Sequence, residues 1–347
     1  MTSTAENPSD NRPLIALAMG DPAGISPELA ARLVVSDRVR SAARLVVIGD
    51  RLVLEAGARV AGVALDIETV DRTAIGPADR PVLIDLQNLD PLGLPAGEAT
   101  EVGGRFAVEN FSFALKMAAA GTVAAVCYTP FNKKAMRLAS PGYDDESRFI
   151  AGLLQLSGRV REFNVLDTVW NARVTSHIPL KDVAASLTTD GIRAEIALTI
   201  VCLKRAGIAA PRLLIAGLNP HAGDGGSFGM EEIDIIGPAV EASAADGFDV
   251  AGPYPADTVF LTALKGGYHA VLTMYHDQGQ IAMKLMGFDR GVTMLGGLPF
   301  PVSTPAHGTA YDIAGKGIAN PTASEEAVLL AARMAVAASA PGEAAGD

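Results

Sequence analysis

The stretch LIALAMGDPAGISPELAARLVV, residues 14–35, carries the clearest fold signal in the chain. It opens with a short apolar run, Leu14–Gly20, which ends in glycine and which we interpret as a buried strand. Pro27 then marks the start of a helix near Glu28, because proline is well tolerated in the first turn of a helix. A strand that leads directly into a helix predicts an α/β unit.

The same alternation of strands and helices continues along the chain. Further strands are predicted for the apolar runs at residues 44–50, 81–86, 122–130, 163–170, 172–179, 212–220 and 269–276. Helices are predicted at residues 103–121, 191–207 and 324–339, the last with Ser324 as its N-cap. The strands are continuously apolar, which is typical of a parallel sheet covered on both faces. Since domains commonly have about 100–200 residues, the 347 residues predict two α/β lobes with a cleft between them.

Composition limits the classes of partner. The chain has 28 basic and 39 acidic residues and a formal net charge of -11, which disfavours binding to nucleic acid or to an anionic membrane. Its two cysteines, Cys127 and Cys202, argue against a disulfide framework and fit a reducing compartment. The N-terminal residues lack the apolar segment of a signal peptide, and no apolar run reaches the ~20 residues of a membrane span. We therefore expect a cytoplasmic protein.

Three of the five histidines fall at predicted strand ends. His177 lies in TSHIPL, His221 in LNPHAGDGG and His276 in MYHDQG. Open α/β sheets bind ligands beyond the carboxyl ends of their strands. Three imidazoles suit a divalent ion, Zn²⁺ above all, with one position left open for a substrate. The alternative is that each histidine is structural, because no short metal-binding spacing such as HExxH is present.

Two carboxylates and one lysine accompany these histidines. Asp257 in GPYPADTVF and Asp277 in MYHDQG are candidates for a metal ligand, for a partner that orients a histidine, or for the general base. A turn-capping role is the alternative for each. Lys284, in the apolar segment QGQIAMKLMGF, is a candidate to bind an anion or to give a proton, with a solvated lysine as the alternative.

Six motifs, in their order along the chain, resemble one enzyme family. MGDPAGISPEL, SHIPL, GLNPHAGDGG, GPYPADTVF, MYHDQG and HGTAYDIAGKG are similar to the 4-hydroxythreonine-4-phosphate dehydrogenase family, from about residue 14 to residue 335. The segment HGTAYDIAGKGIANP also resembles the nucleotide-binding loop of the isopropylmalate and isocitrate dehydrogenase class. The resemblance implies two α/β/α lobes of that fold with the active site in the interlobe cleft. Residues 1–135 plus 300–347 would form the nucleotide-binding lobe, and residues 136–299 the metal, substrate and dimerisation lobe.

The resemblance also implies the reaction and several functional residues. It implies oxidation of a secondary alcohol by NAD, followed by loss of CO2 from the β-keto acid. It places the metal ligands on His177, His221 and His276, the last from the partner subunit of a homodimer. An aspartate at the place of Asp312 favours NAD, because its carboxylate would repel the 2′-phosphate of NADP. The implied nucleotide contacts are His307, Gly308, Thr309, Ala310, Asp312 and Asn320.

The implied substrate site departs from the family pattern. Where phosphate-binding relatives have Gly-His-Thr-Glu, this chain has Asp145–Arg148, so that Glu146, Ser147 and Arg148 replace histidine, threonine and glutamate. Thr293 replaces a substrate-binding asparagine and Val302 an arginine, whereas Lys284 is retained. Cations and forked donors usually hold a phosphate dianion, and the carboxylate of Glu146 would repel one. These changes therefore predict a different substrate.

The predicted substrate is a terephthalate cis-dihydrodiol, which would be oxidised and decarboxylated to protocatechuate. The segment GGLPFPVSTPAHGTAYDI is similar to the terephthalate dihydrodiol dehydrogenase subgroup. The apolar ring would contact Val302, and the distal carboxylate would pair with Arg148 or Lys284. One alternative is the vitamin-pathway dehydrogenase itself, or a paralogue that acts on another phosphorylated hydroxy acid. A two-lobed solute-binding protein is a second alternative, which the three histidines and the missing signal peptide disfavour.

Overall fold

A computed structural model describes residues 12–71 and 80–339 of the chain. The chain divides into two compact units. The first contains the residues up to Gln155, Pro299–Thr304 and the residues from Gly308 onward. The second contains Leu156–Leu298 and Pro305–His307. The first boundary therefore follows residue 155, and not residue 135 as the sequence predicted.

The helices and strands alternate along both units. The N-terminal part contains β1 (Leu14–Ala18), α1 (Ser26–Val35), α2 (Asp37–Ala42), β2 (Arg44–Gly49), α3 (Arg51–Ala61), β3 (Glu68–Thr69), β4 (Val82–Asp85), α4 (Glu101–Ala119), β5 (Ala125–Tyr128), α5 (Lys133–Ala139) and α6 (Glu146–Leu153). The middle contains β6 (Arg161–Leu166), β7 (Val169–Arg173), α7 (Val183–Ser186), α8 (Thr189–Arg205), β8 (Arg212–Ala216), α9 (Gly237–Ala245), β9 (Asp249–Tyr254), α10 (Val259–Gly266), β10 (Ala270–Thr273), α11 (His276–Gly287) and β11 (Val292–Gly296). The C-terminal part contains β12 (Val302–Pro305) and α12 (Thr322–Ser339).

The sheet of the first unit is parallel throughout. Its strand order is β3-β4-β2-β1-β5-β12. Strands β1, β2 and β5 are buried along nearly their whole length, and α4 and α12 pack against them. The continuous apolar runs of the sequence therefore predicted this parallel sheet correctly, because strands covered on both faces have no polar side to alternate.

The sheet of the second unit is mixed, which the sequence did not predict. Its order is β11-β6-β7-β10-β8-β9, and β6 runs antiparallel to both of its neighbours. The predicted strand at residues 163–170 is wrong, because Leu166 pairs with Val169 across a tight turn at residues 167–168. Strands β7, β10, β8 and β9 are parallel as expected.

Aromatic rings explain why the first unit extends to residue 155. The ring of Phe111 in α4 lies 5.0 Å from that of Phe131 and 5.9 Å from that of Phe149 in α6. Tyr128 stacks on Phe131 at 4.4 Å between ring centres. Each such pair contributes about 0.5–1.5 kcal/mol beyond its buried area.

The same unit packs α4 so closely on α5 that a Cβ atom at Gly104 would lie 1.9 Å from the carbonyl oxygen of Ala135.

The last helix begins earlier than predicted. Helix α12 starts at Thr322, whose backbone N–H donates a hydrogen bond to Asn320 Oδ1 at 3.0 Å. Ser324 lies inside the helix and is buried, so it is not the predicted N-cap. Within residues 12–71 and 80–339, no helix combines the length and the apolar character that a membrane crossing requires.

Candidate active site

The three predicted histidine turns lie at one edge of the second unit's sheet. Strands β7, β10 and β8 are adjacent and parallel, so their carboxyl ends point the same way. His177 follows β7, His276 is the first residue of α11 after β10, and His221 lies in the turn after β8. The parallel topology thus places at a common edge the three segments that the sequence pattern singled out.

Two of the histidines lie close together within one chain at a separation that fits a metal ion, although the resemblance implied that the partner subunit supplies His276. The ring centres of His177 and His276 are 5.8 Å apart. Two imidazoles that share one ion through Zn–N bonds of about 2.0–2.1 Å have ring centres roughly 5–6 Å apart. Asp277 Oδ1 lies 2.7 Å from His276 Nδ1, and a proton on Nδ1 would leave the lone pair of Nε2 for the metal. In the described ranges no three His, Cys, Asp or Glu side chains form a metal-binding group, so His221 as a third ligand stays a prediction.

The turn that carries His221 has an uncommon backbone. His221, Ala222, Gly223, Asp224 and Gly225 have φ values of 54, 52, 83, 45 and 64°. For residues other than glycine this left-handed conformation costs about 1–2 kcal/mol each. Such residues persist only where their surroundings fix them, and they are concentrated at functional sites.

The other catalytic candidates also belong to the second unit. Asp257 lies in the exposed turn after β9, which runs parallel to β8, so it is at the same edge of the sheet as the histidines. Lys284 lines a small open pocket together with Asn164 and Gln280. Thr293 of β11 pairs with Asn164 in the sheet and is therefore a neighbour of this pocket.

The predicted substrate segment Asp145–Arg148 begins α6 in the first unit. Lys133 Nζ lies 3.7 Å from Glu146 Oε2, so a cation offsets the negative charge that was expected to repel a phosphate. Lys133 was not identified from the sequence, because its partner is distant along the chain. Arg148 pairs with Asp144, and its side chain is 75% exposed. Such an exposed pair contributes about 0–1 kcal/mol, so it can open for a ligand. Ser147 is half-buried on the same helical turn.

Val302 does not lie where the predicted substrate wall requires it. It is part of β12, where it pairs with Val126 of β5, and its side chain is fully buried. A side chain without exposed surface cannot contact a substrate. The structure therefore does not support the predicted role of Val302.

The predicted nucleotide loop is held by the turn that follows β1. The carbonyl oxygen of Thr309 accepts a hydrogen bond from Ile25 N at 3.0 Å, and Glu28 Oε1 accepts one from Ala319 N at 3.0 Å. A Cβ atom at Gly24 would lie 2.6 Å from the carbonyl oxygen of Thr309, so only glycine allows this approach. The motif that opens the fold therefore also fixes the loop.

The loop presents one exposed carboxylate. Ala310, with a φ of 44°, leads into a single 3₁₀ turn, Tyr311–Ile313, with Asp312 exposed at its centre. His307 is half-buried and Gly308 exposed at the start of the loop. Asn320, a predicted nucleotide contact, is exposed and its Oδ1 accepts a hydrogen bond from Thr322 N at the start of α12.

Asp21 and Tyr311 form a pair that the sequence did not reveal. The Tyr311 hydroxyl donates a hydrogen bond to Asp21 Oδ2, and Ala23 N donates one to Asp21 Oδ1 at 2.9 Å. Burial raises the pKa of Asp21 above its usual 3.8, although the bonds from Tyr311 and Ala23 act in the opposite direction. Burial, followed by the bond to Asp21, raises the pKa of Tyr311. The position of Asp21 directly after a strand was the signal that could have identified it.

Replacement of Asp21 by asparagine should change how stability depends on pH. A raised pKa means that the folded protein favours the protonated carboxyl, so this stabilisation is complete below pH 3.8 and is lost as the pH rises through the folded-state pKa. Asparagine does not titrate. Its Oδ1 can still accept the bond from Ala23 N, and its Nδ2 can donate to the Tyr311 hydroxyl oxygen in place of the bond that Asp21 Oδ2 accepts. The free energy of unfolding of the wild type minus that of Asp21→Asn, measured by urea unfolding, should therefore fall as the pH rises. If this difference in the free energy of unfolding rose with pH, the pKa of Asp21 would not be raised in the folded protein.

Comparison with known proteins first defines the class. The solved structure of a 4-hydroxythreonine-4-phosphate dehydrogenase from Klebsiella pneumoniae has a TM-score of 0.81 and 35% identity, over 93% of this chain and 98% of that one. The α/β fold predicted from the sequence is thus confirmed, and the class is that of the dehydrogenases. Residues 41–331 match the family described as "Pyridoxal phosphate biosynthetic protein PdxA". The chain belongs to the PdxA family.

Two further comparisons bear on the subgroup. A Rhizobium meliloti (strain 1021) protein named "Putative 4-hydroxythreonine-4-phosphate dehydrogenase 2" is 65% identical over 336 residues, which are 96% of this chain and 97% of that protein. A terephthalate 1,2-cis-dihydrodiol dehydrogenase from Burkholderia xenovorans LB400 is more distant, with 28% identity and a TM-score of 0.64 over 92% of this chain and 98% of that one. These findings favour the phosphate-substrate alternative over the predicted terephthalate dihydrodiol.

Proposed function

We propose that this protein is an NAD-dependent and divalent-metal-dependent dehydrogenase that oxidises and decarboxylates a phosphorylated hydroxy acid. The first candidate substrate is 4-hydroxythreonine 4-phosphate. The observation that carries the proposal is the high identity, over nearly the whole chain, to the Rhizobium meliloti relative named for this activity. The histidine-bearing turns at one sheet edge support the metal-dependent part of the proposal.

The proposed reaction has two steps, an oxidation and a decarboxylation. In the first, the carbinol carbon gives a hydride to the nicotinamide ring of NAD, and the hydroxyl proton passes to a base. In the second, the bond to the carboxyl group breaks, CO2 leaves, the electron pair is delocalised onto the ketone oxygen, and the carbon is then protonated. A bound divalent ion would supply Lewis-acid stabilisation of the negative charge on the substrate oxygen.

The chain's own residues take the following roles in this proposal. His177, His221 and His276 would hold the ion, and Asp277 would orient the His276 ring through the 2.7 Å contact at Nδ1. Lys284 would bind an anionic group of the substrate, since it supplies a cation to the pocket of the second unit. Asp257, exposed at the sheet edge that carries the histidine turns, is the proposed base.

The altered residues at 146–148 remain compatible with a phosphorylated substrate. The nearby Lys133 reduces the repulsion expected from Glu146, and the exposed Arg148 can exchange Asp144 for a ligand anion. The missing phosphate-binding residues favour a paralogue whose substrate carries its phosphate differently. The substrate panel should therefore include phosphorylated hydroxy acids that lack the amino group.

We further propose that the protein is a homodimer whose active site is completed by the second copy. The family resemblance supports this arrangement. Ile281, Leu285 and Phe288 are exposed apolar side chains with the spacing of one helical face, on or directly after the helix that begins with His276. They supply an apolar surface suited to contact with another chain.

The proposal is tested with purified protein, NAD and a divalent metal. NADH absorbance should rise with 4-hydroxythreonine 4-phosphate or a related phosphorylated hydroxy acid, and CO2 should be released in equal amount. The unphosphorylated parent acid is the matched control and should react far more slowly. Turnover of terephthalate cis-dihydrodiol, without turnover of any phosphorylated acid, would overturn the proposed substrate class.

Replacement of Asp312 by serine should weaken the preference for NAD. The carboxylate would no longer pair with the ribose hydroxyls or repel a 2′-phosphate. A charged hydrogen bond contributes about 1.5–3 kcal/mol, so the ratio of kcat/KM for NAD to that for NADP should fall by about 10-fold or more. Asp289→Ser is the control, because Asp289 is also exposed within a single 3₁₀ turn. An unchanged ratio in Asp312→Ser would remove Asp312 from cofactor selection.

A further inference from the structure

We propose that Glu232 and Gln278 are positioning residues that hold the His221 turn in the conformation that binds the metal ion and link it to the His276 turn. The proposal rests on the metal-dependent function proposed above. It concerns the residues around the histidines, none of which was predicted to act there. We call these two side chains the turn-holding pair.

Glu232 ties down the backbone just before His221. Its side chain is buried, with only 4% exposed. Oε1 accepts hydrogen bonds from Leu218 N and Asn219 N, both at 2.7 Å. Oε2 accepts a hydrogen bond from Asn219 Nδ2 at 2.9 Å. A single carboxylate therefore binds three donors at the entrance of the turn, and charge-assisted bonds of this kind are stronger than neutral ones.

The turn closes around this carboxylate from both sides of His221. A Cβ atom at Gly217 would lie 3.0 Å from Oε1, and one at Gly223 would lie 2.7 Å from Oε2. Glycine at both positions allows the backbone to approach the carboxylate closely. The left-handed conformation of residues 221–225 is thus formed against Glu232, which explains how an unfavourable backbone can persist.

The local helix geometry places Glu232 at this position. It is the first residue of a one-turn π-helix, Glu232–Ile236, which leads into α9. Single π turns within helices are frequent at functional sites. The glycine-rich run and the two glutamates in HAGDGGSFGMEE are therefore one structural element, in which Glu232 is the fixed point.

Gln278 connects the His221 turn to the His276 turn. Its Nε2 donates a hydrogen bond to the carbonyl oxygen of Gly217 at 2.8 Å, and its Oε1 accepts one from Met274 N at 2.6 Å. Met274 lies between β10 and His276, and Gly217 directly follows β8. The same Met274 accepts, at its carbonyl oxygen, a hydrogen bond of 2.7 Å from Thr175 Oγ1, close to His177. All three histidine turns are thereby joined through backbone groups near Met274.

The test measures metal affinity rather than activity alone. Zn²⁺ is titrated into the metal-free full-length protein, and its affinity is obtained by competition with a chromophoric chelator. Glu232→Gln keeps the size of the side chain but removes its charge and one acceptor. Loss of a group that orients a metal ligand typically weakens metal binding by about 10–100-fold. We expect that loss for Glu232→Gln, together with a smaller Zn²⁺-induced rise in melting temperature.

Glu195→Gln is the matched control. Glu195, in α8, is also a buried glutamate of the second unit, but its Oε1 pairs with Arg161 Nε of β6 at 2.7 Å. Its variant should leave Zn²⁺ affinity unchanged. Equal weakening in both variants would overturn the proposal, because the effect would then reflect general destabilisation. Wild-type affinity in Glu232→Gln would overturn it as well.

A second variant keeps the proposal testable if Glu232→Gln does not fold. Gln278→Met removes both bridging bonds without altering the backbone, and it should weaken Zn²⁺ binding by about 10-fold. An unchanged Zn²⁺ affinity in Gln278→Met would overturn the proposed role of the turn-holding pair. If the wild type itself binds neither Zn²⁺ nor another divalent ion, the proposed metal-dependent function is wrong. The titration of the wild type alone distinguishes that result from a failure of the role proposed for Glu232 and Gln278.

Discussion

A His276→Ala variant is expected to lose about 100–1000-fold in kcat, which is the usual cost of removing a group that stabilises charge in the transition state. It should also lose most of its bound metal. His276 supplies one of the two imidazoles whose ring centres are 5.8 Å apart, and Asp277 already orients it. Metal content by mass spectrometry and NADH formation should therefore decrease together.

His269→Asn is the control for this experiment. His269 Nδ1 accepts a hydrogen bond from Arg212 N at 3.0 Å, and the side-chain oxygen of asparagine can replace that acceptor. Burial lowers the pKa of His269, as expected for a neutral structural histidine. The control should retain wild-type metal content. If His276→Ala retained both its metal and its activity, the ion would have to be bound elsewhere.

A Gly104→Ala variant should lose a large amount of stability although it adds only a single methyl group. The new Cβ atom would lie 1.9 Å from the carbonyl oxygen of Ala135, and a backbone atom cannot rotate away as a side chain can. Overpacking of this kind costs about 1–3 kcal/mol and occasionally more. At roughly 2–4 °C per kcal/mol, the melting temperature should fall by several degrees.

Gly152→Ala tests whether the loss arises from packing. Gly152 lies in α6, and a Cβ atom there would have no neighbour within 4 Å. Alanine in a helix is favoured over glycine by roughly 0.5–1 kcal/mol, so this variant should be as stable as the wild type or slightly more so. A Gly104→Ala protein with wild-type melting behaviour would show that α4 and α5 are less closely packed in solution.

The parallel strands could be predicted because burial on both faces leaves a direct trace in the sequence. Strand β5, for example, is buried at every position, and every residue from Ala125 to Tyr128 is apolar or aromatic. The hairpin between β6 and β7 could not be predicted in the same way. Its turn at residues 167–168 contains neither glycine nor proline, and the apolar run hides the reversal.

The residues of the candidate site could also be predicted only in part from the sequence. Histidines are few in this chain, so three of them near predicted strand ends could be recognised from the sequence. Glu232 could not, because its role depends on the backbone donors of Leu218 and Asn219, which only the fold brings to it. The cation close to Glu146 could not be predicted for a similar reason, since Lys133 lies on a different helix.

The discontinuous first unit has a consequence for folding on the ribosome. Strand β12 pairs with β5 in the sheet of the first unit, yet it is synthesised after the whole of residues 156–298. At translation rates of about 5–20 residues per second, strand β5 waits on the order of 10–30 s for this neighbour. The exposed edge of β5 must be protected during that interval, so we expect nascent chains of this protein to bind chaperones until β12 has emerged.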